Sequence, residues 1–433
     1  MKKSALAAAV LTLSAAAFAQ NSALAPGKPI VLKAARMFDG RSDRTVSPGL
    51  VVVENGKIAS VGGNAPPGAE VIDLGDATLL PGFIDAHVHL MFQASDNWFR
   101  DFFQRTMRFP AEQAHYAAMY ARRTLEAGFT TVRDVGSWDH VALGLRNAIA
   151  AGVAEGPRML VSNNPIGATG GHADGEPFPP DLVKPSGPLD GVCNGPDECR
   201  AAVRYQIKYG ADVIKCMPSG GVLSLSDPVD APELTQEEMN AIVSEAHAWG
   251  RKVAAHCHGD AAAKIAIAAG VDSIEHGSFI KPDTLALMKK KGTYLVPTLY
   301  AGDWVGKHAD QFPPAIAAKA RAASAAMTAM FREAVRQGVK VAFGTDAGVE
   351  PHGGNAHEFV LMTQDGLSPA AALRAGTSSA ADLLGVAGDS GTLESGKRAD
   401  IVAVPGDPTA DIAATGKVLF VMQQGRIVKN VRP

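Results

Sequence analysis

The chain has 433 residues, 46% hydrophobic, 20% charged and 6% aromatic, with 45 glycines and 27 prolines. That balance excludes a disordered, collagen-like or small disulfide-scaffold protein, and the length asks for a large α/β barrel or more than one domain. Net charge is −3, from 41 basic and 44 acidic residues with no block of one sign, which excludes a dedicated nucleic-acid binder.

The chain opens MKKSALAAAVLTLSAAAFAQ, which reads as a cleaved export signal. Lys2 and Lys3 are the positive start, Ala5 to Ala17 the apolar run and Ala17-Phe18-Ala19 the cleavage site, so residues 1–19 are expected to be removed. That run is too short to span ~30 Å of hydrocarbon, and no other stretch reaches spanning length, so no stable membrane insertion is expected. The flanks look bacterial, and the expected destination is the periplasm. There, Cys193 and Cys199 in the turn-rich GVCNGPDECR could close a local disulfide. Cys216 and Cys257 fall inside expected strands and read as small hydrophobes. No C-x-x-C pair offers a thiolate zinc site.

From Ile30 to Leu80 short strands alternate with turns, and Asn55-Gly56 is a hairpin signal. The last fifty residues read alike, with Gln424-Gly425 at a turn. Residues 24–81 and 385–433 are therefore expected to form one small β-domain joined across the long middle.

The middle, 82–384, alternates strands with helices. The expected strands are FIDAHVH, FTTVRDVG, RMLVSN, DVIKCMP, KVAAHCH, SIEHG, TYLVPTL and KVAFGTD. Helical stretches between them include AEQAHYAAMYARRTLEAG and the long PPAIAAKARAASAAMTAMFREAVRQG, and several stop at a glycine such as Gly292 or Gly338. Eight strands in this length fit an α/β fold of the (β/α)8 TIM-barrel type better than an open doubly wound sheet. No G-x-G-x-x-G follows the first strand, which weakens the open-sheet alternative further.

In a barrel, groups at the C-terminal ends of strands meet at one mouth. His87 and His89 end the first strand, two apart and so on one face. Lys215 ends the fourth, His256 the fifth, His276 the sixth and Asp346 the eighth. A lone strand histidine is usually a satisfied core residue; five strands delivering a ligand type to one rim point to metal. Lys215 carries a charge that is awkward to bury. It either snorkels to the mouth or is carboxylated by CO2. The resulting carbamate is anionic, and its two oxygens can bridge two divalent cations ~3.5–4 Å apart. Four histidines, that carbamate and an aspartate suit two such ions, zinc foremost, with Mn, Co and Fe also compatible with the N/O donors.

The motif set resembles the amidohydrolase superfamily: LPGFIDAHVHL (80–90), VIKC (213–216), HCHG (256–259), IEHG (274–277) and GTDAG (344–348). The resemblance implies a barrel over 82–384 and a small β-sandwich from 24–81 plus 385–433, entered through GTLESGKRADIVAV (391–404). It implies that His87 and His89 hold the more buried metal and His256 and His276 the second. Lys215 bridges them, and Asp346 ligates the first and acts as the base. Within the superfamily, GADVIKCMPSGGVLS (210–224) is similar to the imidazolonepropionase-related, carboxylated-lysine peptidases. That group includes Xaa-Pro and Xaa-Arg dipeptidases and ochratoxin-hydrolysing amidases. Deaminases and true imidazolonepropionases keep a glutamate soon after the strand-five histidine. Here HCHGD has Gly259, which argues against both chemistries. Related dipeptidases often carry a tyrosine beyond the bridging lysine; Leu234 is expected at that position, which favours the amidase branch. Relatives are often multimers, so a homo-oligomer is expected.

The expected reaction is hydrolysis of the amide bond to a C-terminal apolar or aromatic amino acid, in an N-acyl amino acid such as ochratoxin or in a dipeptide. A metal-bridging hydroxide attacks, and Asp346 carries its proton to the leaving amine, which leaves poorly unless protonated. Lactone or phosphotriester cleavage is open to the same site. A non-catalytic periplasmic metal-binding protein is the alternative of another class, disfavoured by a base kept beside a complete ligand set. His258, two residues past His256, and His172, in IGATGGHADG, are the candidate substrate contacts. Arg133 and Asp134 read equally as an ion pair, a helix cap or substrate groups. His352 and His357 read as solvated loop residues. The aromatic loop with Phe92, Trp98, Phe99, Phe102, Phe103 and Phe109 is either a wall over the site, interior packing or a subunit contact.

Overall fold

The computed structural model describes residues 28–431, apart from 96, 176, 177 and 180. The expected export signal, 1–19, and the first residues of the N-terminal β segment, 24–27, lie outside the described residues.

The two ends of the chain pair with each other. Ile401–Pro405 runs antiparallel to Ala77–Pro81, with Ile401 opposite Pro81 and Pro405 opposite Ala77. They lie in a five-stranded sheet ordered Arg426–Asn430, Phe420–Gln423, Ile401–Pro405, Ala77–Pro81, Arg36–Met37. A four-stranded sheet is ordered Lys57–Val61, Gly49–Glu54, Ile30–Ala34, Glu70–Asp73. Leu32 and Val51 from one sheet and Leu79, Ile401 and Phe420 from the other share one buried apolar cluster. Both turn signals hold: Asn55 and Gly56 have φ of +51° and +76°, Gln424 and Gly425 +50° and +78°, the backbone that a tight hairpin needs.

The middle is α/β. Phe83–Val88, Phe129–Asp134 and Arg158–Val161 pair in parallel, as do Val213–Cys216, Lys252–Cys257, Ser273–His276 and Tyr294–Val296. Every residue of Phe83–Val88 and Phe129–Asp134 is buried, as in strands covered on both faces. Single bridges link Ile166 to Cys216, Leu295 to Val341 and Val88 to Ala347. At the N-terminal ends of the first two strands, Phe83 and Phe129 pack at 5.5 Å between ring centroids, with Phe343 and Phe359 against them. Helix Gln236–Ala248 starts on a reciprocal cap, the Glu238 carboxylate accepting the Thr235 N–H at 2.8 Å. Helix Pro314–Gln337 starts on a proline and stops at Gly338, φ +74°.

In the eighth expected strand, KVAFGTD, only Val341 is bridged, with a second bridge at Ala347 just beyond it. Its backbone still meets the first strand, the Asp346 N–H donating to the His87 carbonyl at 2.7 Å. The Asp85 carboxylate takes the Thr345 N–H at 3.1 Å, and Asp346 turns the chain at φ +70°. Together these interrupt a continuous ladder. Cys193 and Cys199 are disulfide-bonded, and Cys216 and Cys257 are buried free thiols. Among the described residues, no helix is long and apolar enough to cross a membrane.

Candidate active site

The strand ends bring the expected ligands together. The Asp346 carboxylate lies 3.1 Å from His89 Nε2 and 3.4 Å from His87 Nε2. These three form one group, with one donor atom from each within 4.8 Å of the others. His256, His258 and His276 form a second by the same measure. The groups adjoin, His87 and His276 having ring centroids 5.0 Å apart. Lys215, buried, places Nζ 3.3 Å from His87 Nε2. His258, read from sequence as a substrate contact, thus stands among the histidines of the second group.

Each imidazole is held by an oxygen behind it. His87 Nδ1 meets Glu275 Oε2 at 2.8 Å, His89 Nδ1 the Gly136 carbonyl at 3.0 Å, and His276 Nδ1 the Thr298 hydroxyl at 2.7 Å. His258 Nδ1 meets the Ser278 hydroxyl at 2.9 Å. His256 is held from its other nitrogen, Nε2 lying 3.2 Å from the Gly220 carbonyl. These contacts fix each ring and leave its other nitrogen for a ligand. A Cβ on residue 136 would come within 2.9 Å of His89 Cε1, so the carbonyl reaches that ring only because the residue is glycine. His276 and Asp346 sit at φ of +68° and +70°, and Thr298 at +50°, the kind of strained backbone that gathers at functional sites.

Below this layer lies Glu275, which the sequence reading did not single out. Its second oxygen accepts Arg133 Nη2 at 2.8 Å, and Arg133 is completed by the Ala86 carbonyl and the Ser273 hydroxyl. Arg133 is therefore a buried ion-pair partner rather than a substrate group. A buried arginine demands a carboxylate, and that was the available signal. Asp134 instead accepts the Leu90 N–H at 2.8 Å, and burial pushes its carboxyl up to about 6.

Burial pushes His87 down to about 4, with Lys215 adding to the effect, and His258 down to about 3, helped by His172. His256 and His276 are depressed by the same cause. Neutral rings keep a lone pair for a metal. Burial opposes ionisation of Asp346, but His87, His89 and Lys215 outweigh it and hold the carboxyl at about 2. Burial lowers Lys215 to about 8. Burial opposes protonation of His89, but Asp346 outweighs it and raises that ring. Four imidazoles that burial keeps neutral, an ionised carboxylate and a readily neutralised amine are a donor set that fits divalent cations.

Above the two groups opens a cavity of about 520 Å³, lined by His89, His256, His258, His276 and Asp346 at one end. His172 also lines it, 4.4 Å from the His256 ring, with Nδ1 3.1 Å from the Ser224 hydroxyl. The aromatic loop divides. Phe92 lines the cavity and stacks on His89 at 5.4 Å and on Trp138 at 6.1 Å. Trp98 and Phe102 stack on each other, while Phe99, Phe103 and Phe109 are exposed. Leu234 is buried in the main core and is not among the residues that line the cavity. The loop beyond Lys215 lines the cavity through Val222, Leu223, Ser224 and Ser226 instead. His352 is buried rather than solvated, its Nε2 2.9 Å from the Phe92 carbonyl.

The sequence model of the amidohydrolase family matches residues 78–428. The chain belongs to the amidohydrolase family. Ochratoxinase from Aspergillus niger is 31% identical over 371 residues, 81% of this chain and 76% of that protein. A crystal structure of a Xaa-Pro dipeptidase with bound methionine is similar at 39% identity and a TM-score of 0.89, covering 92% of this chain and 99% of that one. The crystal structure of A. niger ochratoxinase is similar at 28% identity and a TM-score of 0.82, covering 93% and 96%. This amidohydrolase is an enzyme, a hydrolase acting on amide or peptide bonds.

Proposed function

We propose that this amidohydrolase is an exported, binuclear metalloenzyme that cleaves the amide bond to a C-terminal apolar or aromatic amino acid. The observation that carries the reading is the pair of adjoining donor groups, His87/His89/Asp346 and His256/His258/His276, with the Lys215 amine 3.3 Å from His87. In this reading His87, His89 and Asp346 would hold one ion and His256 and His276 the other, and Lys215, as its carbamate, would supply the remaining oxygen donors. Bound divalent ions, zinc first among them, supply Lewis acidity and a water that ionises near neutral pH. Asp346 takes the proton of the attacking water and delivers it to the leaving amine nitrogen. His172 and His258 face the substrate carbonyl or carboxylate from the cavity.

The wider architecture follows the same reading. The parallel strands form a closed (β/α)8 barrel over 82–384, supported by the three single bridges between its strand segments. The described residues of 24–81 and 385–433 form a β-sandwich, a reading supported by the shared cluster of their two sheets. Export is supported by the Cys193–Cys199 bridge, which suits an oxidising compartment.

The substrate proposal leans on Phe92, Trp138, Val222, Leu223, Val305 and Met327, which give the cavity an apolar wall, and on the similarity to ochratoxinase. A dipeptide substrate is the second reading, favoured by the 39% identity to a Xaa-Pro dipeptidase. The test is metal content of the purified protein together with kcat/KM on N-acyl-phenylalanines, Xaa-Phe, Xaa-Pro and Xaa-Arg dipeptides, lactones and a paraoxon-like ester. Two divalent ions per chain and fastest turnover of an N-acyl-phenylalanine are expected. Preference for Xaa-Pro selects the second reading. A metal-free active enzyme, or turnover of esters alone, refutes both.

A further inference from the structure

Helix Pro314–Gln337 presents Lys319 to the loop that follows strand Val213–Cys216. The Lys319 ammonium donates to three carbonyls of that loop, Gly221 and Ser224 at 2.7 Å and Asp227 at 2.9 Å. An ammonium has three donors, and here each meets a carbonyl of one short segment. The Asp227 carboxylate stands 3.7 Å from the same nitrogen and accepts the Gly221 N–H at 2.6 Å. The Lys319 side chain is 14% exposed and that of Asp227 3%, so these charge-assisted bonds are largely shielded from water. Residues 221–227 have no helix or strand of their own to hold them.

What they hold matters to the cavity. Val222, Leu223, Ser224 and Ser226 line it, as do Ala323 and Met327, one and two turns along the face of the helix that carries Lys319. The Ser224 hydroxyl meets His172 Nδ1 at 3.1 Å. A Cβ on Gly221 would fall 2.1 Å from His172 Cε1, so the loop backbone is seated directly against that ring.

We propose that Lys319 is a positioning residue that fixes loop 221–227 as a preformed wall of the substrate cavity and, through Ser224, sets the ring of His172. A wall that is ordered before binding spares the substrate the entropy of ordering it. Lys319 therefore governs substrate binding rather than the bond-breaking step. The clause about substrate rests on the amidohydrolase reading above; the clause about the loop does not.

The test compares metal-loaded wild type, Lys319→Met and Lys319→Arg, full chain. Lys319→Met is expected to raise KM for the best N-acyl amino acid or dipeptide by about tenfold while kcat changes less than about threefold. Metal content stays unchanged, and amide hydrogen exchange within 219–228 speeds up by about tenfold or more. Lys319→Arg, which keeps the charge and several donors, recovers part of both effects. Unchanged exchange overturns the proposal. Faster exchange with unchanged KM, or a fall in kcat accompanied by metal loss, overturns it as well. If Lys319→Met does not fold, Lys319→Gln carries the same comparison. If wild type turns over none of the amides, the functional reading fails, and exchange alone decides the role of Lys319.

Discussion

Glu275 and His87 are joined at 2.8 Å, carboxylate to ring nitrogen, with both side chains at 1% exposure or less. The same carboxylate neutralises Arg133 at 2.8 Å. One acid therefore does two things: it aims a ligand of the first donor group and balances a buried guanidinium. Removing one partner of a buried pair costs far more than the pair contributes, because the other charge is left uncompensated.

Glu275→Ala is expected to destabilise the metal-free protein by about 3–5 kcal/mol. Glu275→Gln, which keeps the shape, should weaken metal binding by about 10–100-fold. Burial opposes ionisation of Glu275, but Arg133 and His87 outweigh it and hold the carboxyl at about 2 against an ordinary 4.5. Its stabilising contribution is therefore complete above about 4.5 and is lost as pH falls toward 2. Denaturant titrations across that window should show a steeper acid loss in wild type than in Glu275→Gln. Equal slopes would show that the pair does not contribute in this way.

The clustering of the donor side chains was legible because strand ends and a period of two are sequence properties: FIDAHVH puts residues 87 and 89 on one face without any knowledge of packing. The supporting layer was not. In SIEHG the glutamate faces away from its histidine neighbour, and only the approach of Arg133 and His87 from two other strands gives it a role. The eighth strand misled for a related reason. KVAFGTD has a strand's composition, yet its ladder is broken by the Asp85 side chain, a competitor far away in sequence. Leu234 shows the same limit. Its spacing from a motif is visible, but whether it faces the cavity or the core depends on the tilt of neighbouring elements.

Asp346→Asn should separate fold from chemistry. Asparagine tolerates φ +70° better than most residues, so the backbone at this position should survive. The amide cannot take the proton of the attacking water, and kcat should fall by about 10²–10⁴-fold. Circular dichroism and metal content, read beside kcat, make the distinction. A folded, metal-loaded variant with near-normal kcat would place the base elsewhere.

Phe92 and Phe103 belong to the same aromatic loop but should respond differently. Phe92 stacks on His89 at 5.4 Å and lines the cavity, whereas Phe103 is 64% exposed. An aromatic pair of this kind contributes about 0.5–1.5 kcal/mol beyond its buried area, so Phe92→Ala should lower kcat/KM by up to about tenfold. Phe103→Ala should stay within about 0.5 kcal/mol of wild type in stability and leave kcat/KM unchanged. Equal losses in the two variants would mean that the loop acts as one unit.

Lys215 offers the most direct test of how the two donor groups are joined. Burial lowers its amine to about 8, so the neutral form, the one that reacts with CO2, grows as pH rises through that value. Reloading of the metal-stripped enzyme should therefore be faster at pH 8.5 than at pH 6.5, and faster still with added bicarbonate. The side chain sits 3.3 Å from His87 Nε2, close enough that a carbamate oxygen on it would reach the first donor group. Lys215→Ala should lose metal and turnover together, and short carboxylic acids should restore part of both by supplying the missing oxygens. Inductively coupled plasma mass spectrometry alongside initial rates measures each arm. A fully active Lys215→Ala variant, or reloading indifferent to bicarbonate, would mean that the two groups are held without any modification of this lysine.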